Sequence, residues 1–180
     1  MRLFIAIEIT NEMRRELNSL SKLLRERSCG GRFVPAENYH ITLRFIGESD
    51  DLAGAAAAMR EAVRGIRPFA LALDRYGFFE KTGSGSHRVA LVDLKGELDE
   101  LKILHETLEA ALSDHGFSRD MKHFKPHITL GRNVEHDELV FEELSSVNLS
   151  ASMQVTGITL FESAKVKGKQ VYTPLHREKF

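Results

Sequence analysis

The chain has 180 residues, 42% hydrophobic and 28% charged, with 13 Gly and 4 Pro, which excludes a disordered, collagen-like or low-complexity protein. Its net charge of −1 excludes a broadly basic surface that coats nucleic acid, and the lone cysteine, Cys29, excludes an internal disulfide and a multi-thiolate zinc site. The length predicts one domain, or two tight lobes, over residues 1–180.

Residues 3–9 are apolar and β-branched and predict a strand. Thr10 and Asn11 are N-cap types, after which Met13, Leu17, Leu20 and Leu24 mark one helix face. Gly30, Gly31 and Pro35 predict a loop. Residues 39–46 (YHITLRFI) predict a second strand, ended by Gly47, and Asp50 or Asp51 then caps an alanine-rich helix running to about Gly65. Phe69, Leu71 and Leu73 alternate as a third strand that extends toward Phe79. Residues 81–86 (KTGSGS) predict a turn, and 88–94 a fourth strand. Leu98, Leu101, Ile103, Leu104, Leu108 and Leu112 define a long helix ending near Gly116. A strand over 126–132, a short helix over 138–144 and a hairpin of 153–161 with 170–175 complete the chain. This order argues an α+β fold, with strands in two sheets or a split sheet and helices outside. No apolar run approaches the ~18 residues of a membrane span, and the opening MRLFIAIEI is short and soon charged for a secretory leader. The sequence therefore reads as cytoplasmic and soluble, with no membrane partner.

Residues 40–43 read His-Ile-Thr-Leu, and residues 127–130 read His-Ile-Thr-Leu again. With 8 His, 8 Thr and 22 Leu in 180 residues, about 0.04 chance occurrences of His-x-Thr-Leu are expected. Both tetrapeptides fall in predicted strands, where residues i and i+2 share a face. His40 and Thr42 thus project together, as do His127 and Thr129. Two histidines on one cleft suit acid–base work near neutral pH, one taking a proton while the other gives one. Each threonine hydroxyl can donate to a phosphoryl oxygen. Arg44 is in phase with His40 and is expected to face the phosphate. Arg132 is out of phase with His127 and joins that side only if Gly131 bends the strand. Phe45 has the opposite parity to His40 and is expected in the core. Phe124, just before the second motif, is the expected stacking partner for a base, with Lys122, Lys125 and Arg75 steering the backbone. Lys165, Lys167 and Lys169 read as the solvated face of a turn.

A metal reading of His115, His123 and His127 fails at the spacing. Pro126 breaks any helix between His123 and His127, and in a strand they stand about 13 Å apart. No metal or cofactor is expected.

These residues resemble the two-histidine phosphoesterases, in particular the RNA 2′,3′-cyclic phosphodiesterase or 2′–5′ RNA ligase-like branch. The likeness spans nearly the whole chain: RLFIAI at the start, NYHITLRFIG at 38–47, FKPHITLGR at 124–132 and GKQVY at 168–172. Gly131 departs from the alanine common there, a change expected to be mild. The resemblance implies a bilobal α+β fold, with mainly antiparallel sheets lining a central cleft and helices outside. It implies metal-independent hydrolysis of RNA 2′,3′-cyclic phosphate ends to 2′-phosphates, with 2′–5′ ligation as the reverse. It also implies His40 as proton donor, His127 as acceptor, and a monomer whose substrates are RNA termini, tRNA halves among them. Two other readings stay open at this point. One is a phosphodiesterase for a small cyclic nucleotide or ADP-ribose cyclic phosphate, and the other a non-catalytic module that binds RNA ends.

Overall fold

The computed structural model describes residues 1–81 and 87–180. It runs β1 (Arg2–Glu8), α1 (Asn11–Arg27), β2 (Gly30–Phe33), a 3-10 turn (Ala36–Asn38), β3 (His40–Glu48), α2 (Leu52–Ala62) and β4 (Phe69–Lys81). It continues with β5 (His87–Gly96), α3 (Leu98–Asp114), β6 (His127–Glu135), α4 (Glu138–Ser145), β7 (Ser152–Val155), β8 (Gly157–Val166) and β9 (Lys169–Lys179). α1, α2 and α4 begin at side-chain caps, whereas no side chain caps α3. Thr10 accepts from Met13 N at 3.3 Å, Asp51 from Gly54 N at 2.8 Å, and Asp137 from Val140 N at 2.9 Å.

The strands form two antiparallel sheets, one ordered β3-β1-β8-β9 and the other β2-β6-β5-β4-β7. α2 and α3 pack together against the four-stranded sheet, and α1 and α4 against the five-stranded one. The apolar faces these helices turn inward join one core that draws on both sheets, from Ile5 and Ile41 to Val92 and Ile128. The opposite sheet faces are left to line a cleft. This is the α+β architecture expected from the sequence. No helix among the described residues is long and apolar enough to cross a membrane.

Both His-Ile-Thr-Leu repeats carry a bulge at the same place. β1 pairs Ala6 with Thr42 and then Ile5 with Arg44, so Leu43 is the extra residue. β5 pairs Leu91 with Thr129 and then Ala90 with Gly131, so Leu130 is the extra one. A bulge exchanges the two faces for every residue beyond it.

Three local expectations are corrected. Residues 30–33 are not loop but an edge strand on β6, their two glycines masking the pattern. Residues 153–161 are not one strand. Val155 ends a strand of one sheet and Gly157 begins a strand of the other, with the crossing pinned by a 3.0 Å bond from Phe180 N to Thr156 O. A Cβ at Gly157 would lie 2.6 Å from Glu178 O, so the crossing requires glycine. Gly131 is not a mild departure either, since a Cβ there would lie 2.9 Å from a Val134 methyl and 3.1 Å from Arg32 O. The hairpin turn at Lys167 and Gly168 stands as expected, while the turn expected at 81–86 falls almost wholly outside the described residues.

Candidate active site

His40 and Thr42 sit on the cleft face of β3, and His127 and Thr129 on that of β6, with the buried isoleucine of each motif turned to the core. β3 and β6 pack against each other although they belong to different sheets. The His40 ring is held at both nitrogens, with Nδ1 2.7 Å from Asn38 O and Nε2 2.9 Å from Thr42 Oγ1. A carbonyl only accepts, so Nδ1 carries the proton, and in the neutral ring Nε2 accepts from the threonine hydroxyl. His127 repeats half of this arrangement, its Nδ1 donating to Lys125 O at 2.6 Å. Each imidazole is thereby oriented through Nδ1 and offers Nε2 for chemistry. Burial pushes both histidines below their ordinary value of 6.5. The charge of His127 adds to the depression at His40, while Asp93 opposes it at His127.

The walls of the cleft are aromatic. Phe4 lies 5.0 Å from the His40 ring and Tyr172 lies edge-on to it at 5.3 Å, with Phe161 stacked on Phe4 at 5.2 Å. Across the cleft Phe79 meets His127 edge-on at 5.5 Å. Tyr172 belongs to β9, the strand of its sheet farthest from β3. Sheet twist brings those diagonal corners together, and Asn38 Nδ2 closes them by donating to Gln170 O at 3.0 Å. Beside His40 in register, Glu8 accepts from Thr159 Oγ1 at 2.7 Å and Arg177 Nε at 2.8 Å, and these bonds hold its carboxyl below the usual range.

The bulges redistribute the other expected residues. Arg132, beyond the bulge at Leu130, falls on the cleft face, and its charge reaches both His127 and Tyr172. Arg44 does not face the cleft. Beyond the bulge at Leu43 it turns inward, is 5% exposed, and donates from Nη1 to Glu109 at 2.9 Å and from Nη2 to Ser118 O. Phe45 takes the cleft face instead of the core, 60% exposed and 6.0 Å from Phe4. Phe45 and Arg132 thus occupy equivalent places in the two repeats. Phe124 is half-buried and packs against the core, with one face of its ring lying parallel to His105 at 4.0 Å. Lys122, Lys125 and Arg75 are exposed. Parity misses Phe45 because nothing in Leu-Arg-Phe marks a bulge. Asn38 and Tyr172, each within a quoted motif, have no role until the fold brings them to His40.

His115 lies 3.0 Å from Glu61, and His123 is exposed elsewhere. Among the described residues no three His, Cys, Asp or Glu side chains converge as a metal-ligand set.

Two antiparallel sheets that each present a His-x-Thr strand to one cleft define a two-histidine phosphoesterase. The family model of the 2′-5′ RNA ligase superfamily matches residues 11–167, and the chain belongs to that family. It is similar to the RNA 2′,3′-cyclic phosphodiesterase of Thermotoga maritima, 37% identical over 134 residues that cover 73% of this chain and 70% of the relative. In structure it is similar to TT0787 of Thermus thermophilus, with a TM-score of 0.78, 26% identity and coverage of 99% and 97%. It is also similar to Escherichia coli LigT complexed with 3′-AMP, with a TM-score of 0.77, 29% identity and coverage of 99% and 97%.

Proposed function

We propose that this protein is a hydrolase that opens RNA 2′,3′-cyclic phosphate ends to 2′-phosphates. The observation that carries the reading is the pair of imidazoles, each tied through Nδ1 to a backbone carbonyl and each presenting Nε2 to one cleft. His127 takes a proton from water, whose oxygen attacks phosphorus in line. The bond from phosphorus to O3′ breaks, and His40 gives O3′ its proton, leaving a 3′-hydroxyl and a 2′-phosphate. Thr42, Thr129 and Arg132 hold the non-bridging oxygens, where developing charge is stabilised. Phe45, exposed and backed by the buried Phe4, offers its face to the terminal base. With a 5′-hydroxyl in place of water the same steps form a 2′–5′ linkage: His127 takes the hydroxyl proton, O5′ attacks phosphorus, and the bond to O3′ breaks as His40 protonates it. Relatives with this activity by name, and a LigT structure holding 3′-AMP, support a ribonucleotide substrate. On this reading residues 1–180 work as one two-lobed, monomeric unit in the cytoplasm, with tRNA halves among the substrates.

The test is a short RNA bearing a 2′,3′-cyclic phosphate, incubated with the protein in excess EDTA. The expected product is a 2′-phosphate. A 3′-phosphate product, turnover abolished by EDTA, or tight binding of the end without turnover would each overturn the reading.

The pH dependence follows from burial. His127 must be neutral to accept a proton and is competent above its pKa, while His40 must be charged to donate and is competent below its own. Both lie below 6.5 in the free protein. A profile of kcat/KM from about pH 4.5 to about 8.5 is therefore expected to be bell-shaped, its alkaline limb falling already on the acid side of neutrality. The two limbs belong to the interacting pair. A bound phosphate anion favours the His40 cation, so the alkaline limb of kcat is expected at higher pH than that of kcat/KM. A flat profile through neutrality contradicts the assignment.

A further inference from the structure

β8 and β9 pair along their whole length, from Gly157 with Lys179 to Val166 with Lys169. β1 accompanies β8 only as far as Glu162, opposite Leu3. Residues 163–172 therefore run past the sheet as a two-stranded arm. The arm carries Lys165, Lys167 and Lys169 and no acidic residue, in a chain whose net charge is −1. All three lysines are exposed, and among the described residues none enters an ion pair. The turn is made at left-handed φ by Lys167 (50°) and Gly168 (79°). Turn geometry alone favours Asn or Gly at the first of these positions, yet the residue is a lysine.

The root of the arm is at the catalytic centre. Gln170 O accepts from the side chain of Asn38, whose own carbonyl orients His40. Tyr172 stands edge-on to the His40 ring, and the charges of Arg2 and Arg132 both reach its phenol. Ser163 pairs with Tyr172 and Lys165 with Gln170, so Lys165 continues the face that carries Tyr172. A cationic path thus leads outward from beside the reacting atoms, with Lys165 on that face, Lys167 at the tip and Lys169, opposite Val166, on the reverse face. An RNA whose last ribose is held at His40 continues in one direction only, through its 5′ phosphates.

We propose that the β8–β9 arm is the track for the RNA chain on the 5′ side of the cyclic phosphate, with Lys165, Lys167 and Lys169 contacting its backbone phosphates. This makes the protein selective for polymer ends over free cyclic mononucleotides, and it rests on the phosphodiesterase reading above. Each single-strand phosphate contact contributes about −0.7 to the slope of log affinity against log salt, so three contacts contribute about −2, roughly 20-fold between about 50 and 200 mM.

The experiment compares the parent with the Lys165→Gln/Lys167→Gln/Lys169→Gln variant. KM and kcat are measured at both salt concentrations for an RNA of roughly ten nucleotides ending in a 2′,3′-cyclic phosphate and for a nucleoside 2′,3′-cyclic phosphate. At low salt the variant is expected to show an oligomer KM raised about 10-fold or more and a salt slope shallower by about 2, with mononucleotide kinetics unchanged. An unchanged oligomer KM and slope would overturn the proposal, as would a parallel loss on the mononucleotide. Should the parent hydrolyse neither substrate, the phosphodiesterase reading itself fails. Anisotropy of the labelled oligomer then still decides whether the arm holds RNA, by loss or retention of binding in the variant.

Discussion

Replacing His40 or His127 by alanine is expected to lower kcat by about 10²–10⁴, the usual contribution of a positioned acid or base, without unfolding the protein. Each imidazole lies at the cleft rather than in the core, and truncation leaves the backbone of β3 and β6 paired. The double variant is expected to lose little more than the worse single one, because acid and base act in the same transition state. The pH profiles of the residual activity separate the two roles. Without His127 the acid limb of kcat/KM disappears, since no base remains to be deprotonated. Without His40 the alkaline limb disappears, since no acid remains to be lost. Exchange of the limbs between the variants reverses the assignment of donor and acceptor. Retention of both limbs in either variant removes that histidine from the mechanism.

What the sequence discloses follows from what leaves a local trace. The His-x-Thr repeat, its strand context and the common face of each pair are legible because strand parity is a local rule. Helix starts at Thr10 and Asp51 are legible because caps are chemical. Parity fails three residues past each histidine, where one extra leucine reverses the faces. In the second repeat Gly131 advertises the bulge, and the place of Arg132 hangs on it. In the first repeat nothing does, so parity assigns Arg44 and Phe45 to each other's faces. Phe124 is near the second motif in the chain, but its ring lies on His105 of α3, a contact made across the fold. The wall beside His40 is longer range still, since Tyr172 arrives from the far edge of the sheet, where sheet twist and the Asn38–Gln170 bond hold it.

Arg44 makes the second strong prediction, and it concerns stability. The guanidinium bonds Glu109 of α3 through Nη1 at 2.9 and 3.0 Å, Ser118 O through Nη2 and Phe45 O through Nε at 3.1 Å. Glu109 in turn accepts from Asp120 N at 3.3 Å. The pair therefore ties the strand of the first motif to the segment 117–126, which leads into His127. The two side chains are 5% and 13% exposed, so removing one partner strands a buried charge. Arg44→Met is expected to cost about 3–5 kcal/mol. For a chain of this size that lowers Tm by roughly 6–20 °C, at about 2–4 °C per kcal/mol. Replacing both partners, Arg44→Met with Glu109→Leu, removes the stranded charge and is expected to recover part of the loss. Recovery stops short of the parent because Ser118 O and Asp120 N lose their partners and the segment loses its anchor. Thermal or urea unfolding is expected to rank the parent above the double variant, and the double variant above either single one. A single variant within about 1 kcal/mol of the parent would mean that water reaches this guanidinium.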